Sequence, residues 1–340
     1  MVIYLVTDYK GKFGSKYTAV PYRSGFDKDL LVALFKSKGI EPVFINPSCT
    51  TFEGINYKDS VVLYTSQEDN GLFYKSFLED FLYALTIEGA KIIPPFSLLK
   101  SHENKVFFEM LRTINGKSQL NSIKSRWFGT YEEFCSVAAS LTYPIVIKSF
   151  QGSMSKKVYL AQTETEALKK ARKVSKTWNL YLKYWDFIRS KRHKGYIKES
   201  FNRKKFIIQE FIPGLKSDFK VLIYGSKYYV INRLNKPGDF RASGQGNLSY
   251  IRTLPEGLLD FAETCFNQYN TPQASLDIAF DGIKYYLLEG QFVYFGTYTI
   301  EFSNYYFVRE VDQWSCIEKK SVLEEVYVDS ILEFLKNGQS

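Results

Sequence analysis

Residues 275–291 read SLDIAFDGIKYYLLEGQ, and this stretch is the most informative one about the fold. The apolar residues on both sides of Asp281 predict two antiparallel strands joined by a tight turn. Glu289 and Gln291 are two residues apart on the second strand, so their side chains share one face of it. Asp277 belongs to the first strand, and the face on which it lies depends on the length of the turn.

Two turn geometries remain open for this hairpin. A two-residue turn would pair Asp277 with Tyr286 and place Glu289 on the opposite face. An odd-numbered loop would pair Asp277 with Leu287 and leave Glu289 on the same face. In the second case Asp277, Glu289 and Gln291 bring three oxygen ligands together, which suits Mg²⁺ bridged to phosphate. The alternative is a polar strand face that contacts only water.

A second polar segment follows the apolar strand predicted at 144–148. Lys148 ends this strand and leads into SFQGSMSK at 149–156. A turn that contains Gly and Ser exposes backbone N–H groups that can bind an anion, and a lysine at a strand end adds a fixed positive charge. The segment lacks the GxxxxGK[ST] pattern of a P-loop. An ordinary hairpin turn is the alternative.

The third segment, RLNKPGDFRASGQGN at 233–247, is long, polar and rich in glycine. Loops of this kind are usually functional or disordered. Arg233 and Arg241 could each hold a phosphoryl group with two hydrogen bonds. The alternative is a loop exposed to water.

The chain has 340 residues, which predicts more than one domain. Short strands alternate with helices up to residue 96, and this pattern predicts a small α/β domain with a parallel sheet. Runs of strands and helices follow and predict α+β modules. The expected fold class is therefore α/β plus α+β, with domains at 1–96, 97–212 and 213–340.

The net charge of +9 is concentrated in one segment. Between Lys183 and Lys205 nine basic residues face two acidic ones, and aromatic residues from Trp178 onward are interleaved with them. Such a mixture can bind sugars, nucleic acid or a lipid surface. We expect it to help dock an anionic acceptor. The alternative is an amphipathic helix whose aromatic residues pack inward.

Other features exclude several classes of protein. The four cysteines are far apart and there are only two histidines, which disfavours a zinc site, a disulfide framework and histidine-based catalysis. No apolar run approaches the roughly 20 residues that span a bilayer. The start, MVIYLV, reads as a buried strand and not as a signal peptide. These observations predict a cytoplasmic protein without a membrane span.

Taken in their order along the chain, the polar segments described above resemble those of the ATP-grasp superfamily. The resemblance is to carboxylate–amine ligases in particular, such as D-alanine–D-alanine ligase and the ribosomal-protein glutamate ligases. The family has a lysine on an early helix, a lysine before a flexible loop, a hinge, an arginine-rich loop and an Asp…Glu-x-Asn series. The matching positions here are Lys105, Lys148, the hinge 208–214, Asp218, the loop 238–241, Asp277, Glu289 and Gln291. Gln209 replaces the usual Glu, and Gln291 replaces the usual Asn.

The resemblance implies an ATP-grasp fold with an N-terminal α/β domain at 1–96 and two α+β lobes that clasp ATP. It implies that Arg241 and Arg233 are catalytic, and that Asp277, Glu289 and Gln291 hold one or two Mg²⁺ ions, with Mn²⁺ as an alternative. The residues implied to bind the nucleotide are Lys105, Lys148, Gln151, Gly152, Ser153, Gln209, Glu210, Phe211, Ile212, Asp218 and Lys220.

The implied activity is ATP-dependent amide bond formation through an acyl phosphate. The alternatives are a small-molecule kinase with the same fold and a non-catalytic module that binds nucleotide or polyanion. Residues 295–303 resemble ligases of cell-surface polysaccharide and peptide natural-product pathways. The expected partners are small-molecule or peptide carboxylates and amines, some of them anionic, and not nucleic acid. The sequence assigns no oligomeric state.

Overall fold

The computed structural model describes residues 1–53, 56–66, 71–115, 123–152, 157–177, 179–235, 238–241 and 248–338. The chain forms two compact units. Unit 1 combines Met1–His102 with Lys216–Ser340, and unit 2 is Glu103–Leu215. The two ends of the chain thus share one unit and its middle forms the other. The finer division at 1–96, 97–212 and 213–340 remains a prediction.

Unit 1 begins with a parallel sheet flanked by helices. Its elements are β1 (Val2–Val6), α1 (Lys28–Ser37), β2 (Glu41–Ile45), β3 (Val61–Tyr64), α2 (Phe73–Ile87), β4 (Lys91–Ile93) and α3 (Phe96–Ser101). The strand order is β2-β1-β3-β4, and all pairs are parallel. Asp27 begins α1 by accepting hydrogen bonds from the N–H groups of Asp29 and Leu30. This confirms the α/β layer and the parallel sheet predicted for the first 96 residues.

The rest of unit 1 is a largely antiparallel sheet with helices. Its sheet order is β13-β12-β9-β10-β14-β15, with β11 also paired to β10. The elements are β9 (Ser217–Tyr224), β10 (Lys227–Leu234), β11 (Leu248–Tyr250), α8 (Leu258–Phe266), β12 (Gln273–Phe280), β13 (Tyr285–Gln291), α9 (Tyr298–Phe302), β14 (Tyr306–Glu310), β15 (Gln313–Ile317) and α10 (Leu323–Asn337).

One hydrophobic core joins the two parts of unit 1. Ile3 and Leu5 of β1 and Leu31 of α1 pack in the same buried cluster as Leu222 of β9 and Tyr327 of α10. Because the amino-terminal sheet buries its apolar face against the carboxy-terminal helix and sheet, these distant segments stabilise each other. Gly225 and Ser226 form the two-residue turn between β9 and β10.

Unit 2 is an antiparallel sheet covered by helices. Its elements are α4 (Lys105–Ile114), β5 (Ser125–Phe128), α5 (Tyr131–Ala138), β6 (Ile145–Ser149), β7 (Val158–Ala161), α6 (Glu164–Ser175), α7 (Leu180–Arg192) and β8 (Phe206–Glu210), and the strand order is β5-β8-β6-β7. Helix α6 begins with Thr163 and has Glu166 three residues later, the pattern of a capping box, which forms only in part. Thr163 accepts from Glu166 N–H, whereas the Glu166 carboxylate accepts from Gln162 N–H.

All four cysteines fall within the described ranges and are thiols without a disulfide bond; Cys265 is buried and the other three are exposed. Among the residues that the structure describes, no helix is long and apolar enough to cross a membrane.

Candidate functional site

The β12–β13 hairpin aligns the three predicted metal ligands. Phe280 pairs with Tyr285, so the turn between them has four residues, unlike either turn considered from the sequence. If the register continued unchanged from that turn, the Glu289 side chain would project from the opposite face of the sheet to that of Asp277. A β-bulge between Asp277 and Ile278 shifts the register, and Asp277 lies directly opposite Glu289.

Gln291 pairs with Ser275 and is two residues from Glu289, so it projects from the same face as Asp277 and Glu289. All three side chains are half-buried. The sequence-derived geometry in which the three oxygen ligands share a face is therefore present, although a bulge and not an odd loop produces it.

Two buried cations lie beside Asp277. Lys220 Nζ lies 3.8 Å from Asp277 Oδ1 and donates to Ser275 Oγ at 2.6 Å. One Arg233 terminal nitrogen lies 2.8 Å from Asp277 Oδ2. Arg233 also holds Asp218 with two bonds, from Nε to Oδ1 at 2.5 Å and from a terminal nitrogen to Oδ2 at 2.8 Å. The guanidinium group therefore bridges two carboxylates on adjacent strands.

Burial controls the titration of this cluster. It raises the pKa of Asp218 to about 6, even though Arg233 acts in the opposite direction. It lowers the pKa of the Lys220 ammonium group, a shift that Asp277 partly opposes. Burial alone would lower the pKa of Arg233, but Asp277 and Asp218 outweigh it and raise that pKa. Arg233 is therefore charged and fixes the position of both carboxylates.

The donor set on this face fits a magnesium ion chemically. Asp277, Glu289 and Gln291 offer only carboxylate and amide oxygens, which are the ligands that Mg²⁺ prefers. Across the described residues, no cluster of three His, Cys, Asp or Glu side chains is placed to hold a metal. A site here would therefore depend on the amide oxygen of Gln291 as its third protein ligand.

Arg241, predicted to be catalytic, binds a neighbouring carboxylate. Its Nε lies 2.8 Å from Asp239 Oδ1, and a terminal nitrogen lies 2.7 Å from Oδ2. The Arg241 side chain is one-third exposed, whereas that of Arg233 is buried. The rest of the arginine-rich loop, at 236–237 and 242–247, lies outside the described residues.

In unit 2, Lys148 points away from the helix-covered core. Ile145 and Ile147 of β6 pack with α5 and α6, so the alternating residues Val146 and Lys148 face the other side of the sheet. Lys105, the first residue of α4, is tied to the loop that follows β6. Its N–H donates to Phe150 O at 2.9 Å, and its Nζ donates to Gly152 O at 3.0 Å.

The structure thus brings Lys105 together with the loop that begins just after Lys148. Gly152 has a φ of 129°, which favours glycine, and its N–H donates to Glu103 Oε2 at 3.3 Å. Gln151 and Gly152 belong to the predicted phosphate-binding loop and are described, whereas Ser153 lies outside the described residues.

Gln209 forms a buried hydrogen bond that gives a reason for an amide at this position. Its Nε2 donates to Glu109 Oε1 at 2.9 Å. Glu109 also forms an ion pair with Arg112, and Arg112 in turn donates to Ile123 O at 3.0 Å. A glutamate at 209 would place a second carboxylate against Glu109, so the amide at this position matches the buried acid on α4.

The remaining hinge residues lie at the surface of unit 2. Glu210 is exposed, and it is bonded twice to Lys124, through its N–H to the Lys124 carbonyl and through its carboxylate to the Lys124 N–H. Phe211 and Ile212 follow the end of β8 and are half-buried. The nucleotide-binding role of Gln209, Glu210, Phe211 and Ile212 stays a prediction.

The sequence predictions missed the Asp218–Arg233 pair, although a signal for it was present. A two-residue turn at Gly225 and Ser226 fixes the register of the β9–β10 hairpin, and that register places Asp218 opposite Arg233. Asp277 lies near this pair because it is opposite Lys220, which is two residues from Asp218 on β9. Counting outward from the turn would have indicated that Arg233 faces Asp218, whereas its contact with Asp277 depends on the pairing of β12 with β9.

The basic segment differs from the helix with inward-packed aromatic residues that was one alternative. Tyr181, Tyr184, Trp185 and Phe187 of α7 are all exposed, and that alternative is therefore wrong. Trp178 lies outside the described residues.

Comparison with known proteins finds similarity in structure only. No protein-family model matches the chain, and no curated protein sequence matches it. The solved structure of the D-cycloserine synthetase DcsG has a TM-score of 0.56 at 12% identity and covers 98% of this chain and 100% of its own.

Two further ligases have similar structures. D-alanine–D-alanine ligase from Bacillus anthracis has a TM-score of 0.52 at 13% identity, covering 100% of this chain and 99% of its own. The ATP-grasp ligase PsnB, complexed with a minimal precursor, has a TM-score of 0.50 at 13% identity, covering 97% and 98%. With the parallel amino-terminal sheet and the two α+β sheets, these similarities show that the chain has the ATP-grasp fold.

Proposed function

We propose that this protein is an ATP-dependent carboxylate–amine ligase that forms an amide bond through an acyl phosphate. The observation that carries the proposal is the bulged register of β12 and β13, which places Asp277, Glu289 and Gln291 on one face. Lys220 and Arg233 fix Asp277 on that face, so this ligand is already oriented.

In the proposed reaction a substrate carboxylate oxygen attacks the γ-phosphorus of ATP. The bond from that phosphorus to the β–γ bridging oxygen breaks, and ADP leaves. An amine then attacks the acyl carbon, phosphate leaves with the bonding electrons, and the amine loses a proton to give the amide. Such phosphoryl transfer depends mainly on positioning and on charge stabilisation, which suits a chain with only two histidines.

Each candidate site residue has one role in this reaction. Lys105 and Lys148 neutralise nucleotide phosphates, and the backbone of the hinge 209–212 hydrogen-bonds adenine. Arg241 steadies the transferring phosphoryl group. Arg233 orients Asp277 and Asp218. Asp277, Glu289 and Gln291 hold Mg²⁺, or Mn²⁺ in its place, which supplies positive charge to the phosphate oxygens when bound.

We further propose a small-molecule or peptide carboxylate as substrate, in a peptide natural-product or cell-surface polysaccharide pathway in the cytoplasm. PsnB, which has the same fold, was solved with a precursor, and D-cycloserine synthetase supports a small-molecule alternative. These similarities support the choice of substrates for the assay.

The test is an assay of ADP and phosphate release from ATP and Mg²⁺ with pooled amino acids and short peptides, followed by mass spectrometry of the products. We expect ADP release that requires an amine, together with a product whose mass is that of the two substrates less water. The Asp277→Asn variant should lose turnover. Asp281→Asn, on the turn of the same hairpin, should retain it, because Asp281 faces only its own turn and Tyr286.

Other outcomes would contradict the proposal. A stable phosphorylated product with no dependence on an amine would identify a kinase. Absence of turnover, combined with tight and salt-sensitive binding of polyanions, would identify a binding module.

A further inference from the structure

Helix α7 exposes its apolar side chains. Leu180, Tyr181, Tyr184, Trp185 and Phe187 are between 37% and 67% exposed. Among the described residues of unit 2, the hydrophobic core is built from other elements and includes none of these five. Exposed apolar residues are ordinary when scattered, but a contiguous group of them marks an interaction surface.

The angular order of the residues shows that the group is contiguous. At 3.6 residues per turn, the apolar residues of α7 other than Leu182 lie in one arc of about 160°, which Lys191 and Arg192 of the last turn share with them. Lys183 lies at one edge of this arc and Arg189 at the other. Asp186 lies opposite the centre of the arc, is buried, and accepts a hydrogen bond from Tyr196 Oη at 2.9 Å. The side of α7 that carries Asp186 therefore faces the protein, and the apolar arc faces outward.

The net charge of the segment around the arc is positive. The segment from Lys183 to Lys205 has nine basic and two acidic residues. Of the two acids, Asp186 is buried, and Glu199 forms an ion pair with Arg203. The surface around α7 therefore offers lysine and arginine side chains to an anionic partner.

We propose that α7 binds the surface of an anionic lipid bilayer. An interfacial helix combines Trp, Phe or Leu on one face with Lys and Arg on the other, and it lies in the plane of the membrane. Here the apolar arc enters the headgroup region. Lys183 and Arg189 reach lipid phosphates from its two edges, since long basic side chains extend toward the polar layer.

The arrangement favours a bilayer over nucleic acid. Affinity for nucleic acid comes mainly from cations against phosphates, so a nucleic-acid surface has cations at its centre. Over residues 180–189 of α7 the centre is Tyr184 with Leu180 and Ile188 on either side, and Lys183 and Arg189 flank it. Two further cations, Lys191 and Arg192, join this side of the helix only in its last turn. A single convex helix also matches a flat surface better than it matches a groove.

The test is co-sedimentation of the full chain with vesicles of phosphatidylcholine alone or of equal parts phosphatidylcholine and phosphatidylglycerol. We expect binding to the anionic vesicles that salt weakens, and little binding to the neutral ones. The double variant Lys183→Gln with Arg189→Gln should reduce the coefficient for partition between water and vesicle roughly 25-fold, because each basic residue contributes about 1 kcal/mol of binding free energy. Tyr184→Ser with Phe187→Ser should reduce it as well.

The matched control is Phe73→Ser with Tyr83→Ser on α2, because these side chains are as exposed as those of α7 but belong to unit 1. It should bind vesicles like the wild type. Circular dichroism melting would verify that each variant is folded.

The proposal would be overturned by no binding of the wild type to anionic vesicles, by equal losses in the α2 and α7 variants, or by binding of soluble polyglutamate without vesicle binding. Self-association abolished by the α7 variants, without lipid binding, would also overturn it and identify a contact between copies.

Discussion

Replacing Gln209 by glutamate should destabilise unit 2 in a way that depends on pH. The Gln209 and Glu109 side chains are joined by a 2.9 Å hydrogen bond, and the residues are 3% and 1% exposed. Arg112 already pairs with Glu109. A second carboxylate would therefore add a buried negative charge.

The new carboxyl group can avoid that charge by keeping its proton, and it can then still donate to Glu109. Keeping a glutamate with an ordinary pKa of about 4.3 protonated at about pH 7 costs about 4 kcal/mol, at about 1.4 kcal/mol per pH unit. Because the folded-state pKa of the new group is raised, its effect is absent below about pH 4 and grows as the pH rises.

The assay is urea unfolding of the wild type and of Gln209→Glu at about pH 4 and about pH 7. Gln162→Glu, an exposed change in unit 2, is the matched control. Gln209→Met removes the donor without adding charge and should cost about 1–3 kcal/mol at both pH values. A Gln209→Glu protein as stable at neutral pH as the Gln162→Glu control would refute the buried amide–carboxylate pair.

Three further predictions concern other parts of the chain. Burial would raise the pKa of Glu301, but hydrogen bonds from Thr18, Thr297 and Tyr17 outweigh it and lower that pKa. Glu301→Gln should therefore speed proteolysis of the loop 10–25 at neutral pH, and the difference from the wild type should disappear as the pH falls through the range in which carboxylates titrate. Equal cleavage of the two proteins at neutral pH would contradict this. Thr130→Ala removes the capping box of α5 and should lower the unfolding free energy by about 1 kcal/mol in thermal melts, whereas Ser136→Ala within the helix should cost less. Lys148→Ala should weaken ATP binding about 10- to 100-fold by calorimetry, and Lys169→Ala, exposed on α6, should leave it unchanged; equal affinities would show that Lys148 does not contact phosphate.

Much of the fold follows from local sequence signals. The parallel order of β1, β3 and β4 follows from alternation of short apolar runs with helices, and the β9–β10 turn follows from Gly225 and Ser226. These features depend on neighbours in the chain, so sequence alone indicates them. Strands β14 and β15 are not among the predicted elements: polar residues interrupt the apolar ones of β15, and the apolar run of β14 has only three residues before Arg309.

The site was less accessible to sequence analysis. The bulge between Asp277 and Ile278 decides which side chains face each other, and a bulge has no fixed sequence signature. The orientation of α7 was left open for a different reason. Helical periodicity shows that apolar residues share a side, but packing decides whether that side faces the core.

The central claim is tested most directly by Mn²⁺ binding in the presence of a non-hydrolysable ATP analogue. Electron paramagnetic resonance measures this binding, and Mn²⁺ replaces Mg²⁺ in the experiment. We predict that the wild type and Asp281→Asn bind Mn²⁺ with the nucleotide, and that Asp277→Asn and Glu289→Gln bind it at least about tenfold more weakly, the effect of about 1.4 kcal/mol. Undiminished Mn²⁺ binding in both site variants would contradict the assignment of the metal to this face.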